Sequence, residues 1–234
     1  MDASVGQSRA APAFAGWSPS AFEAMAVPDF AGRMEAIRRH VRPLLEAIAD
    51  RLAPALSERA GETLYPYVAQ HARRTVNPPD QTWCAWSPSL RGYKKHPHLE
   101  LGISARQVFV QAGAIYEAPF RGHLADLLAE RGAALRTVLP PEAVWKDDHL
   151  AESGVATRAL SEAELARLAG GLRRRSRGDL MVALAWPREE VLGLSAEAFL
   201  DRALEALTRL MPVYRLARQA QQGSAGSARL AAPG

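Results

Sequence analysis

Two regions with helical hydrophobic spacing enclose a series of short, strand-like segments. From residue 29 to residue 61, apolar side chains recur every three or four positions, which predicts helices that begin at Asp29 and stop at Gly61. Pro43 and Pro54 should kink this region or divide it into two or three pieces, because proline has no backbone N–H to donate. A long C-terminal helix is predicted over residues 195–218, with a bend expected at Pro212.

Between these helical regions the apolar residues form short runs bounded by proline, asparagine and glycine. Strands are predicted over residues 64–69, 82–87, 98–103, 107–116 and 179–186, with a weaker one at 144–149. Residues 107–116 are nearly all apolar, which places this strand in the centre of the sheet with Val108, Val110 and Ile115 in the core. Consecutive strands joined by short loops favour antiparallel pairing.

The order of these elements predicts an α+β fold: a mainly antiparallel sheet flanked by N- and C-terminal helices in a single domain. Further helices are expected over residues 121–135 and from Ser161 onward. Residues 1–16 are predicted to be a disordered tail, residues 17–220 the single domain, and residues 221–234 a flexible tail rich in glycine, alanine and serine.

The composition is that of a globular protein, with 234 residues, 48% of them apolar and 23% charged. The single cysteine, Cys84, cannot form an internal disulfide, which favours a reducing cytoplasm. No run of about 18 apolar residues is present, so no membrane-spanning helix and no membrane partner are expected. The chain has no glycine-rich phosphate loop, and neither a cofactor nor a metal site is predicted.

Positive charge is concentrated in one part of the chain. Residues 67–106 contain six basic and two acidic side chains, a local charge of +4 that equals the formal charge of the whole protein. We define the basic rim as Arg73, Arg74, Arg91, Lys94 and Lys95. Pairing of the strands would bring these positions together, and such a cluster suits a phosphorylated metabolite or a nucleic acid. The alternative is a set of solvated charges that protect a sheet edge from aggregation.

Polar and aromatic residues between these charges complete the candidate ligand site. Tyr93 is a candidate for stacking on a base, whereas at least one of Trp83 and Trp86 is expected in the core. The predicted ligand-binding residues are His71, Arg73, Arg74, Asn77, Arg91, Tyr93, Lys94, Lys95 and His98.

The same segment carries a resemblance to a known family. HARRTVNPPDQTWCAW, RGYKKHPHLELGI and VFVQAGAIYEAP closely resemble the YktB-like family of uncharacterised bacterial proteins, most densely over residues 67–119. The resemblance implies a compact α+β protein with an antiparallel sheet, and it implies no particular activity.

An enzyme acting on a phosphoester or another anion is the alternative to a binding protein. His71, His98 or the group of Asp147, Asp148 and His149 would then serve as the acid or base. The last group also fits a plain polar turn. His96 and His98 form an H-x-H pair without a third ligand at a fixed spacing, which is too little for a metal site.

Overall fold

A seven-stranded antiparallel sheet organises the fold. The computed structural model describes residues 13–72, 74–174 and 178–230, with side chains described as far as residue 226. The strands in chain order are β1 (Tyr65–Val68), β2 (Gln81–Ser87), β3 (His98–Ser104), β4 (Gln107–Ala114), β5 (Val144–Lys146), β6 (Val155–Ala156) and β7 (Leu180–Pro187). Their spatial order is β1-β2-β3-β4-β7-β5-β6, and all neighbours are antiparallel.

The helices lie before and after the strands and between β4 and β7. They are α1 (Pro19–Ala24), α2 (Phe30–Ala36), α3 (Arg42–Ala60), α4 (Arg121–Val138), α5 (Glu162–Arg174), α6 (Arg188–Leu192) and α7 (Ala196–Leu230). A π-helical segment, Ile37–Val41, joins α2 to α3, and a short 3-10 turn, Thr157–Ala159, precedes α5. The α+β class with flanking helices is therefore confirmed.

One face of the sheet packs against helices and forms the main core. Successive residues of a strand point to opposite faces, and on β3 the apolar set Leu99, Leu101 and Ile103 points toward α3 and α7. β4 is the fourth of the seven strands, with Val108 and Val110 fully buried. The predicted central strand is confirmed.

The region from residue 29 to residue 61 is divided into three pieces, as predicted: α2, the π-helical segment and α3. Pro43 lies two residues after the π-helical segment, in the first turn of α3. Pro54 lies inside α3 without ending it, because Leu52 and Leu56 on either side are buried in the core and hold the helix in place. Pro212 likewise lies within α7.

The folded part of the chain reaches beyond residues 17–220 at both ends. Phe14 is buried, with its ring 5.5 Å from that of Phe199, so part of the N-terminal segment packs on α7. At the other end α7 continues to Leu230. Residues 1–12 and 231–234 lie outside the described residues. Within the described part of the chain, no helix is long and apolar enough to cross a membrane.

Candidate functional site

The sheet face opposite α3 and α7 carries buried polar side chains. We refer to it as the polar face. β3 places His98 and Glu100 there, and β4 places Gln111 beside them; Glu100 and Gln111 occupy paired positions. These three side chains are at most 1% exposed. The cover comes from loops, since Tyr93 stacks edge-on against His98 and the carbonyl of His149 accepts a hydrogen bond from Gln111.

Glu100 is the centre of this group. Gln111 Nε2 donates to Glu100 Oε2, and His98 Nε2 lies 3.2 Å from Glu100 Oε1 without the angles of a hydrogen bond. Burial acts to raise the pKa of the Glu100 carboxyl, but the close contact with His98, joined by the charge of His149 and the hydrogen bond from Gln111, holds that pKa below its ordinary value. Glu100 is thus a buried carboxylate.

The proton on the neighbouring imidazole follows from its hydrogen bonds. His98 Nδ1 lies 2.8 Å from the carbonyl oxygen of His96, and a carbonyl can only accept, so Nδ1 carries a proton. Its other nitrogen, Nε2, faces Glu100 Oε1 at 3.2 Å, and the two atoms do not form a hydrogen bond.

Several polar atoms of this group lack a hydrogen-bond partner among the described residues. His98 Nε2, Glu100 Oε1 and Gln111 Oε1 are all buried and unsatisfied. Each such atom costs about 1–3 kcal/mol relative to a bonded one, and three on one sheet face are a marked exception to normal pairing. A cost of this kind is typical of a functional site.

Beside this group, His149 and Asp179 form a tightly bonded pair. His149 Nδ1 lies 2.7 Å from Asp179 Oδ2, and Asp179 is itself held by the backbone N–H groups of Tyr116 at 2.6 Å and His149 at 2.8 Å. Burial acts to lower the pKa of His149, but Asp179, Glu100 and Asp148 outweigh it and hold the pKa above its ordinary value. The carboxylate fixes the proton on Nδ1 and leaves Nε2 for acid–base chemistry.

These residues fit an acid–base pair better than a metal site. Asp148, His149 and Asp179 offer ligand atoms within 4.8 Å of one another. However, Nδ1 and the Asp179 carboxylate already bond to each other, and two backbone N–H groups donate to the same carboxylate. A cation would have to break these hydrogen bonds in order to bind.

His71 is the rim-region histidine on which two rim cations act. The pKa of His71 is lowered to about 4, by burial first and then by the charges of Arg74 and Lys94. His71 Nε2 lies 3.0 Å from Thr82 Oγ1, and its ring meets Trp83 edge-on at 5.5 Å. Its backbone has φ of +50°, which is uncommon outside glycine.

Three further predicted ligand-binding residues, Asn77, Arg91 and Lys95, are exposed. Lys94 forms an ion pair with Glu117 at 3.4 Å. Arg73 lies outside the described residues.

Tyr93 and His98 lie beneath the surface and not at its edge. Tyr93 is 8% exposed, its hydroxyl accepts a hydrogen bond from Trp83 Nε1 at 3.0 Å, and burial raises its pKa. Both side chains are therefore buried and are not exposed among the rim charges. Trp86 faces the helices and donates to the carbonyl of Ala49, which confirms one core tryptophan.

Sequence reasoning missed the partners that give the polar face its chemistry. Glu100 entered only as one of two acids in a basic segment, and Gln111 as part of an apolar strand. Asp179 was predicted only as a strand residue, although it lies immediately before β7. The available signal was a polar residue at an inward position of a buried strand, as at Glu100 and Gln111.

Comparison with known proteins places the whole domain in one family. The family profile described as "Domain of unknown function (DUF1054)" matches residues 17–214. The chain is 34% identical over 195 residues to proteins named "UPF0637 protein" from Bacillus thuringiensis (strain Al Hakam) and Bacillus cereus (strain 03BB102), covering 83% of this chain and 94% of each relative. A Bacillus anthracis (strain CDC 684 / NRRL 3495) protein of the same name matches to the same extent. The resemblance seen in residues 67–119 therefore extends over most of the chain, which belongs to the DUF1054 (UPF0637, YktB-like) family.

Proposed function

We propose that this protein binds an anionic ligand, a phosphorylated small molecule or a nucleic acid, at the basic rim. The observation that carries the proposal is a half-buried histidine, His71, that is bonded to Thr82 and lies within the electrostatic influence of two rim cations, Arg74 and Lys94. With a pKa of about 4, His71 is neutral at pH 7, so it offers a hydrogen bond while the two cations offer charge. The remaining rim residues, Arg73, Arg91 and Lys95, would widen the positive field.

A small phosphorylated molecule is the ligand that the geometry favours. A nucleic acid needs an open groove with exposed stacking surfaces, whereas Trp83 and Tyr93 are 9% and 8% exposed. The polar groups behind the rim are enclosed by loops, which suits recognition by a few directed hydrogen bonds. Placement in the cytoplasm stays a prediction that rests on the unpaired Cys84.

Binding can be tested with inorganic pyrophosphate and a single-stranded oligonucleotide, by calorimetry at two salt concentrations. Arg74→Ala combined with Lys94→Ala should weaken binding about tenfold or more, since charged hydrogen bonds contribute about 1.5–3 kcal/mol each. The melting temperature should stay unchanged because both side chains are on the surface. Arg38→Ala combined with Arg39→Ala removes the same charge from an exposed part of the π-helical segment and serves as the control.

The salt dependence separates the two ligand classes. Nucleic-acid binding should weaken steeply with salt because each phosphate contact releases a counterion, whereas pyrophosphate should show a shallow slope. If wild type binds neither compound at micromolar concentration, the rim is a solvated sheet edge and the proposal fails.

A second candidate function, hydrolysis of a phosphoester or another anionic substrate, is favoured by the hydrogen bond between His149 and Asp179. Both His71 and His149 meet the ring of Trp83 edge-on, at 5.5 Å and 6.1 Å, so a ligand held at the rim would lie near the acid–base pair. His149 would transfer the proton through Nε2, and Asp179 would orient the ring.

Turnover of p-nitrophenyl phosphate tests this second function. His149→Asn should lower kcat by about 10²–10⁴-fold, the range for loss of a general acid or base. His123→Asn, at an exposed position on α4, is the matched control. If wild type binds pyrophosphate but does not hydrolyse p-nitrophenyl phosphate, the anion-binding proposal stands and the catalytic role of His149 is contradicted.

A further inference from the structure

A cavity on the polar face lies away from the rim and contains a buried amine. Its volume is about 190 Å³, well below the roughly 300–1,000 Å³ of sites for drug-sized ligands. Phe109 and Ala183 give it an apolar floor, and Lys146 and Gln81 are its buried polar residues. The size suits a compound of a few non-hydrogen atoms.

Lys146 is buried without a carboxylate at ion-pair distance among the described residues. Its residue exposure is 5%, and Nζ donates to the backbone carbonyls of Ala151 at 3.0 Å and His149 at 3.4 Å. Nζ also lies 5.6 Å from the centroid of the Phe109 ring. Burial lowers the pKa of Lys146 to about 8, although more distant negative charges, led by Glu100, act to raise it.

The residue type at this position is unusual for the chain. Of the 29 basic side chains counted as Lys or Arg, only Lys94, Lys95 and Lys146 are lysines. Lys94 and Lys95 are exposed, so of the three lysines only Lys146 has its amine inside the protein. Arginine would supply the same charge and more hydrogen bonds, but a guanidinium cannot lose its proton and an amine can.

Gln81 gives an independent sign of a ligand. Its Nε2 donates to the carbonyl of Leu150 at 3.0 Å, which leaves Oε1 buried and without a partner among the described residues. Because Gln81 lines the cavity, a hydroxyl or N–H group of a bound molecule would satisfy this oxygen. The carboxylates of Glu142 and Glu152 also line the cavity, paired with Arg209 and Arg106, so the lining is close to neutral apart from Lys146.

We propose that this cavity binds a small, neutral carbonyl compound with a hydrogen-bond donor, and that Lys146 captures it as an imine. The neutral amine keeps two hydrogens, which the carbonyls of Ala151 and His149 accept, so its lone pair is directed away from them. This lone pair attacks the carbonyl carbon, the C=O π electrons move to oxygen, and a carbinolamine forms. The carbinolamine then loses one water, which takes the carbonyl oxygen and both amine protons, and a C=N bond remains.

The expected selectivity follows from the burial and the lowered pKa of Lys146. At pH 7, a pKa of about 8 leaves roughly two hundredfold more free amine than a free lysine with a pKa of about 10.4 would have. This site is independent of the proposed anion binding, because none of the four described rim residues lines the cavity.

Reductive trapping tests the proposal on the full chain. Wild type is incubated at pH 7 with glycolaldehyde or propanal and cyanoborohydride, which reduces an imine to a stable secondary amine, and peptides are mapped by mass spectrometry. Lys146 should react at least about tenfold faster than Lys94 and Lys95, the internal controls. Glycolaldehyde should react faster than propanal, because only its hydroxyl can donate to Gln81. Equal or faster labelling of the surface lysines would overturn the proposal.

Two variants test the assigned roles. Gln81→Leu keeps the amine, and it should abolish the preference for glycolaldehyde while Lys146 still reacts. Lys146→Arg keeps the positive charge but removes the amine, so no reduced imine should form at this position. Labelling of Lys146 must also persist in Arg74→Ala combined with Lys94→Ala, so failure of anion binding and failure of imine formation are distinguishable. An unchanged aldehyde preference in Gln81→Leu would contradict the proposed pose.

Discussion

The two faces of the sheet come from the same strands and have opposite chemistry. Toward α3 and α7, β3 and β4 present Leu99, Leu101 and Val110, which are fully buried and apolar. Toward the loops, the alternating positions present His98, Glu100 and Gln111, which are equally buried and include unsatisfied polar atoms. Burial stabilises the first set and costs free energy in the second. Exceptions to regular packing of this kind are expected where function constrains the sequence.

The cost on the polar face is reduced by placing opposite charges close together. Glu100 lies between His98 and the charge of His149, and Asp179 receives three hydrogen bonds. Buried ions are tolerated when they are paired and bonded in this way. Removing one partner should therefore be far more damaging than removing a rim charge.

The largest effect is expected on the helix-facing side. Val110→Asp would bury a carboxylate with no partner, and the protein should fail to fold. Val110→Ala should fold with a loss of about 2 kcal/mol in the free energy of unfolding, since each buried methylene contributes about 0.8 kcal/mol. Circular dichroism and urea unfolding measure both. A folded Val110→Asp protein with wild-type stability would mean that this face is not the core.

The next effect is expected at the most heavily bonded carboxylate of the polar face. Asp179→Ala leaves the imidazole and two backbone N–H groups without their acceptor, and should lower the free energy of unfolding by about 3–5 kcal/mol. Asp148→Ala, at an exposed position 4.0 Å from His149 Nδ1, should cost less than about 1 kcal/mol and is the control. If Asp179→Ala and Asp148→Ala lower the free energy of unfolding equally, the hydrogen bonds to Asp179 do not stabilise the fold as expected.

A smaller, pH-dependent effect is expected at His71. Its pKa is about 4 in the folded protein against 6.5 for a free histidine. Between these values the unfolded chain binds a proton that the folded protein excludes. The stability contributed by His71 is therefore full above pH 6.5 and is lost as the pH falls toward 4, by at most about 3 kcal/mol.

Replacement by asparagine, which tolerates positive φ, removes this titration. The stability difference between wild type and His71→Asn should shrink or reverse as the pH falls through this window, as followed by urea unfolding. A difference that stays constant from pH 7 to pH 4 would contradict the burial of a neutral His71.

Much of the fold was predictable because the spacing of hydrophobic residues along the chain distinguishes helices from strands. The apolar run of β4 predicted its central place in the sheet. The same periodicity predicted α7, although it stopped the helix near residue 218 and the helix continues to Leu230. Small residues in the last turns give no apolar pattern by which a helix end can be located.

The sequence by itself determined which residues alternate, which segment is basic and where apolar side chains form a core. Only the tertiary structure decided what covers the polar face and which groups meet there. β7 pairs with both β4 and β5, and this arrangement brings Asp179 to His149 across 30 positions of the chain and Lys146 into a cavity beside Phe109. Periodicity records the face on which a side chain lies, whereas hydrogen bonds and pKa values depend on distances between strands and loops remote in sequence.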